Sequence, residues 1–202
     1  MLVMSLPTFI LASSSPRRSE LLRQLGVEFQ VVPSDADEVS HEDLSAGELA
    51  QLNAYRKARR VSKKFPDALT MGVDTLVAAK GKIFGKPTNL VDAHRMLSEL
   101  QGSTHHVVTG VCLIHLRAHR QRVFLEQTAV TFRPLTLEKI HSYHKQVNPL
   151  DKAGAYGIQE KGDLIVESIS GSFSNVVGLP LERLQEELAR FHVPIPLPCG
   201  AV

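Results

Sequence analysis

Residues 9–26 read F-I-L-A-S-S-S-P-R-R-S-E-L-L-R-Q-L-G, and the change of character midway through this stretch decides the fold. The apolar run 9–12 has the length and composition of a buried strand. Three serines follow and lead into Pro16, which suits the first position of a helix because the N–H it lacks would have no partner there. Leu21, Leu22 and Leu25 give that helix an apolar face, and Gly26 can take the positive φ that closes its last turn. A strand aimed at a helix N-terminus opens an α/β unit. It also presents free backbone N–H groups and serine hydroxyls at the positive end of a helix dipole, where anions are favoured. Arg17 and Arg18 stand in that first turn, a poor place for cations unless an anion lies between them and the helix. Two readings stay open at this point: a capped turn with solvated arginines, and a phosphate site.

Working outward, 202 residues are enough for one sizeable core, so a single domain spanning 1–202 is expected, with its core over 9–191 and a Pro-rich tail over 192–202. Hydrophobic residues make up 43% and Trp is absent, which requires an aliphatic core. A net charge of only +2 argues against a dedicated nucleic-acid binder working through bulk electrostatics, and points to a small-molecule partner. Cys112 and Cys199 offer neither a disulfide framework nor metal-type spacing, so a reducing cytoplasm is expected. No apolar run approaches the ~20 residues of a membrane span, and residues 1–8 lack the basic start and long apolar core of a signal peptide.

Along the chain, residues 27–32 read as a second strand that ends in the acidic loop 34–38 (S-D-A-D-E), a source of oxygen ligands. Ser45 with Glu48 forms a capping box for a helix over 46–63, with Leu49, Leu52 and Ala58 facing inward and Lys57 near them. Residues 69–79 are the most apolar stretch, yet they carry a carboxylate, Asp74, in their middle. An unpaired buried carboxylate costs several kcal/mol, about the whole stability margin of a domain, so Asp74 must pair, bind metal or face a cleft. Gly85-Lys86-Pro87 holds a lysine in an extended segment ahead of a helix over 90–100. Residues 106–115 and 122–132 read as an antiparallel hairpin, and Thr136 caps a helix to about Gln146. His141 and His144, three apart on that helix, have no carboxylate partner and read as surface residues rather than metal ligands. The segment 151–159, D-K-A-G-A-Y-G-I-Q, is turn-rich; a strand over 164–169 and a final helix with Leu181, Leu184, Leu188 and Phe191 on one face complete the chain. No P-loop and no internal repeat is present.

In combination, L-A-S-S-S-P-R-R, Glu38, Lys57 before Ala58, G-V-D-T-L-V, G-K-P, the H-V-V-T-G-V of 106–111 and D-K-A-G-A-Y-G-I-Q closely resemble the Maf family of nucleoside triphosphate pyrophosphatases. Six motifs and the single Glu38 in order, with fitting spacings over 9–191, make the resemblance specific. It implies an α/β fold with an elongated central mixed sheet, two lobes and a cleft between them, akin to the inosine triphosphate pyrophosphatases, and a homodimer. By position it implies that Ser13, Arg17 and Arg18 bind phosphate. Glu38, Lys57, Asp74 and Lys86 match the family's acidic and basic catalytic positions, Asp74 being its proposed proton acceptor. Arg17, Thr75 and Gln159 match its substrate-choosing positions and look like the dTTP and UTP subgroup. A departure is Arg56, where many relatives have an acidic residue. A divalent cation, Mg²⁺ or Mn²⁺, is expected as cofactor with Glu38 and Asp74 as candidate ligands, and hydrolysis to the nucleoside monophosphate and pyrophosphate as the reaction. The rival reading is a regulatory module that binds nucleotide or nucleic acid without turnover; a carboxylate beside the phosphates speaks against it.

Overall fold

The computed structural model describes residues 7–41, 43–193 and 195. Strand β1 (Phe9–Leu11) is wholly buried and runs into helix α1 (Pro16–Gln24), whose Leu21 and Leu22 pack inward. A short β2 (Gln30–Val31) and the loop 34–41 lead to α2 (Ala46–Ser62), which opens on the expected Ser45–Glu48 capping box. The long strand β3 (Leu69–Ala79) turns into β4 (Lys82–Phe84), followed by α3 (Leu90–Leu100). Then come β5 (Thr104–His115) and β6 (Arg120–Phe132) as a hairpin, α4 (Leu137–His144), β7 (Val166–Ser170), α5 (Phe173–Val177) and α6 (Leu181–Arg190). All seven strands join one mixed sheet in the order β2-β1-β3-β5-β6-β7, with β4 also on β3. β1 lies parallel to β2 and β3, and the remaining pairs are antiparallel.

Two features of this sheet position the site. The first is a gap in one edge of β3: β1 pairs with it only as far as Met71 and β4 begins at Val77, so residues 72–76 have, among the described residues, no strand beside them on that edge, while β5 pairs with the other edge from Leu69 to Ala78. The second is a polar line across one sheet face. Side chains alternate along a strand, and on the face that carries Val73, Thr75 and Val77 the partners Thr75 and Thr109 share a hydrogen bond at 3.1 Å. Thr109 also donates to the carbonyl of Asn175, whose amide reaches Val107 O and Thr128 Oγ1. On one side of this line lies an apolar cluster that includes Phe9, Leu22, Met71, Val73, Leu184 and Leu188; on the other lies one that includes Val77, Leu97, Val107, Phe132 and Tyr143. These are the two lobes.

The opposite face is covered by α2, which comes unusually close. A Cβ on Gly72 would lie 2.1 Å from Ala54 O, and one on Gly110 would lie 2.4 Å from the carbonyl carbon of Ala50. Glycine is required at both positions because the helix backbone occupies the space a side chain needs.

Several expectations are corrected. The second strand shrinks from 27–32 to Gln30–Val31, because Val27 turns into the core and Pro33 ends the run. Leu52 is exposed rather than inward: the buried stripe of α2 runs through Leu49, Asn53, Ala54, Ala58 and Val61, and Leu52 falls beside it. α4 ends at His144 instead of Gln146, and a short 3-10 turn over Gly162–Leu164 delays the last strand to Val166–Ser170. His144 is buried, its Nε2 at 3.0 Å from Ala155 O, because α4 packs on the 151–160 segment. α5 escapes the periodicity reading because five residues are too few to show a period. Most of the 192–202 tail and Cys199 lie outside the described residues. No helix among the described residues is long and apolar enough to cross a membrane.

Candidate active site

A cleft of about 310 Å³ opens at the gap in β3 and runs between the lobes. Ser13, Arg17, Arg18, Glu38, Lys57, Thr75, Lys86 and Gln159 all line it. Asp74, the remaining residue singled out from the sequence, lies beneath, 5% exposed and behind Lys57. Asp74 and Thr75 are consecutive and so belong to opposite faces of β3. At an ordinary paired edge they would be separated by a neighbouring strand; at the gap both address the same space.

The floor is built by the close approach of α2. Lys57 Nζ stands 2.6 Å from Asp74 Oδ1 and 2.7 Å from Glu38 Oε1, a single ammonium bridging two carboxylates from three different segments. Asn53, one turn earlier on α2, accepts from Val39 N at 2.8 Å, donates to Val39 O at 3.1 Å, and reaches Asp74 Oδ2 at 3.4 Å. It fixes the backbone beside Glu38 and touches Asp74 at once. Burial pushes the Asp74 carboxyl above its ordinary pKa against the pull of Lys57 and Arg18, with Glu38 adding to the rise. For Glu38 desolvation again opposes charge, but Lys57, with Lys86 and Arg18, outweighs it and the pKa falls. One carboxylate is therefore the stronger base and the other the more firmly ionised.

The wall formed by the β1–α1 junction carries Arg18, whose Nε donates to Gly178 O at 3.0 Å, Nη1 to Ser13 Oγ at 3.1 Å and Nη2 to Thr75 Oγ1 at 2.9 Å. Three of the five N–H donors of a guanidinium are so engaged, which fixes its plane and leaves the rest for a ligand. The N-cap Ser15 makes no side-chain cap bond and no acidic residue stands in the first turn of α1. Arg17 turns to the other wall: its Nη1 binds Asp151 Oδ2 at 2.5 Å and its Nη2 binds Asp151 O at 3.0 Å. Lys86 is exposed on the rim. Gln159 is exposed as well and makes no side-chain hydrogen bond among the described residues.

Sequence reasoning missed Asn53, Asp151, Lys152 and Tyr143. Asn53 had a legible signal, a polar residue four before Lys57 on the buried stripe of a helix. Asp151 and Lys152 stood inside the quoted D-K-A-G-A-Y-G-I-Q, but nothing local says that Asp151 meets Arg17, and a turn-rich stretch without periodicity does not show that Lys152 is buried against its own loop. Cys112 is buried with its thiol pushed up to about 12 by desolvation, and takes no part.

For a divalent cation the available donors are the carboxylates of Glu38 and Asp74. No group of three or more His, Cys, Asp or Glu side chains among the described residues is placed to hold a metal ion. Two carboxylates fit an ion such as Mg²⁺, which keeps waters and takes further oxygens from substrate phosphates instead of needing an all-protein cage.

Comparison with known proteins gives a family model, described as Maf-like protein, that matches residues 8–191. The chain is 48% identical over 193 residues to a dTTP/UTP pyrophosphatase of Acetivibrio thermocellus, covering 92% of this chain and 96% of the relative. It is 47% identical to a dTTP/UTP pyrophosphatase of Symbiobacterium thermophilum, covering 92% and 95%. A structure of a HAM1 protein from Coxiella burnetii shows a distant likeness, with a TM-score of 0.46 and 14% identity over 92% of this chain and 100% of that one.

Proposed function

The chain belongs to the Maf family, and from that premise we propose that it is a nucleoside triphosphate pyrophosphatase that hydrolyses dTTP and UTP to the nucleoside monophosphate and pyrophosphate. The observation that carries this reading is the Lys57 ammonium set between Glu38 and Asp74 on the floor of a cleft rimmed by Arg17, Arg18 and Lys86. A nucleoside triphosphate brings about four negative charges, and cleavage at the α-phosphorus moves more charge onto the leaving pyrophosphate, so a cation-lined cleft is what the reaction needs. Relatives at this level of identity are named dTTP/UTP pyrophosphatases, and none of these names favours a non-catalytic binding module.

Both carboxylates are held by Lys57. Phosphate oxygens compete for that ammonium, and drawing it toward them uncovers Asp74 Oδ1. Burial has raised the pKa of Asp74, so the freed oxygen is a better proton acceptor than an ordinary aspartate. Water then attacks the α-phosphorus, its proton passes to Asp74, and the bond to the bridging oxygen breaks with its electron pair leaving on pyrophosphate. Arg18, locked through Ser13, Thr75 and Gly178, offers its remaining donors to phosphate oxygens, and Lys86 reaches in from the rim. Glu38 and Asp74 would hold a divalent cation, Mg²⁺ or Mn²⁺, which when bound neutralises phosphate charge and lowers the pKa of a coordinated water. Gln159 supplies an amide whose acceptor and donor complement the N3–H and O4 of uracil or thymine.

Incubation with a panel of nucleoside triphosphates and Mg²⁺ or Mn²⁺, with pyrophosphate and orthophosphate measured separately, tests this. Early pyrophosphate with UTP and dTTP leading the panel is expected. Orthophosphate and a nucleoside diphosphate as first products overturn cleavage at the α-phosphorus, and absence of turnover overturns the enzyme.

A further inference from the structure

Lys152 is 5% exposed, an unusual state for a lysine. Its ammonium meets three acceptors, Asn148 O at 2.8 Å, Asp151 Oδ1 at 2.9 Å and Glu160 Oε1 at 3.0 Å, one for each donor it owns. The stem reaches them by lying against Gly157: a Cβ there would sit 2.6 Å from Lys152 Cε and 3.0 Å from Cδ. The glycine is needed to let the lysine pass. From the other side Tyr143 of α4 accepts from Gly157 N at 3.1 Å while its hydroxyl faces Gly157 O and Glu160 O.

We infer that Lys152 is a positioning residue for substrate selection: its buried ammonium closes the 151–160 segment into a ring whose rim carries Gln159 and whose Asp151 holds Arg17. The inference rests on the reading above, in which Arg17 and Gln159 meet the nucleotide. Without the lysine the middle of the segment is still held, through His144 at Ala155, His105 at Tyr156 and Tyr143 at Gly157, but no side chain ties its two ends together, and two things change at once. Glu160, adjacent to Gln159, loses its anchor, and since the Gln159 amide has no hydrogen bond of its own among the described residues, its place depends on the backbone that Glu160 tethers. Asp151 loses one of the two cations that hold it and is left to Arg17 alone, so the Arg17 guanidinium swings with a carboxylate that is no longer fixed. Both walls of the base end of the cleft lose their register, while the Lys57, Glu38 and Asp74 group, carried on α2, β3 and the 34–38 loop, is untouched.

The test is steady-state kinetics with UTP and GTP on wild type, Lys152→Met, Gly157→Ala and Glu160→Ala, each checked by its melting transition. Gly157→Ala keeps the charge and displaces the stem; Glu160→Ala removes the acceptor and so one arm, at a side chain that is 43% exposed, where the fold is not at stake. The expected result is a fall of about tenfold or more in the ratio of kcat/KM for UTP to that for GTP, arising in KM, with kcat for UTP kept within about threefold. A lysine that merely stabilised the fold would lower the melting temperature and leave this ratio alone. Unchanged selectivity in folded Lys152→Met, or in Glu160→Ala if the former does not fold, overturns the inference while an active wild type leaves the reading of activity standing. A wild type that turns over neither UTP nor dTTP overturns that reading, and this inference with it.

Discussion

At the scale of the residue, the chemistry rests on how burial and one lysine treat two carboxylates differently. Asp74→Asn keeps the shape and removes the basic oxygen, and Lys57 keeps Glu38 as a partner, so the fold should survive while kcat falls by about 10²-fold or more. Initial rates with UTP beside a thermal melt check both halves; a rate within about threefold of wild type would take Asp74 out of the proton-transfer role. A second residue speaks through stability. His105 is fully buried, its Nε2 at 2.9 Å from Tyr156 Oη, and desolvation holds its pKa at about 4. The unfolded chain protonates this histidine below about pH 6.5 while the folded chain does not until about pH 4. The unfolded state therefore binds more protons in that window and stability falls with falling pH, by about 3 kcal/mol for this group alone by pH 4. His105→Gln should flatten that part of the profile; urea unfolding at pH 7 and pH 4.5 measures it, and an unchanged slope would show that His105 is not its source. The anomalies that drew attention to Asp74 and Arg17 were legible in single residues set against their neighbours. The Lys57 bridge was not, because a lysine on a helix looks the same whether its tip meets water or a carboxylate.

At the scale of the element, the decisive contact is α2 on the sheet. Its start was readable from Ser45 and Glu48, since capping is a contact between residues three apart. Its depth was not readable: Gly72 and Gly110 are glycines in strands, and only the packed structure shows that helix backbone fills the place of their side chains. Gly72→Ala puts a methyl group into the Ala54 carbonyl and Ala58 N. Backbone cannot step aside as a side-chain tip can, so the cost should reach the upper end of the usual overpacking range, about 3 kcal/mol or more. The helix that carries Lys57 would be pushed off β3, and kcat should drop in the protein that remains folded. Thermal denaturation and rates on the same sample test this; a neutral Gly72→Ala would mean that α2 does not lie as close as described.

At the scale of the whole molecule, the cleft exists because the sheet is interrupted on one edge and its core is divided on one face. Asn175 sits at that division, fully buried, tying α5 to Val107 of β5 and Thr128 of β6. Asn175→Ala leaves those groups without their donor at the boundary of the lobes, and should cost about 1–3 kcal/mol. Urea unfolding gives the number. An effect near zero would show that the polar line across the face is not needed to join the lobes.

Short-range pattern alone determined the β1–α1 turn, the capping box of α2, α3 to the residue, the hairpin, and the presence of a carboxylate in the most apolar strand. Each is a relation between residues a few positions apart, where periodicity, caps and composition act directly. Tertiary structure alone decided that Arg17 meets Asp151 across 134 positions, that Lys57 lies between Glu38 and Asp74, and that β3 keeps an open edge at 72–76. These depend on strand register, on where β1 stops and β4 starts, and on how near a helix can come to a sheet. Such distances are set by the packing of the whole chain, and no local window of the sequence contains them.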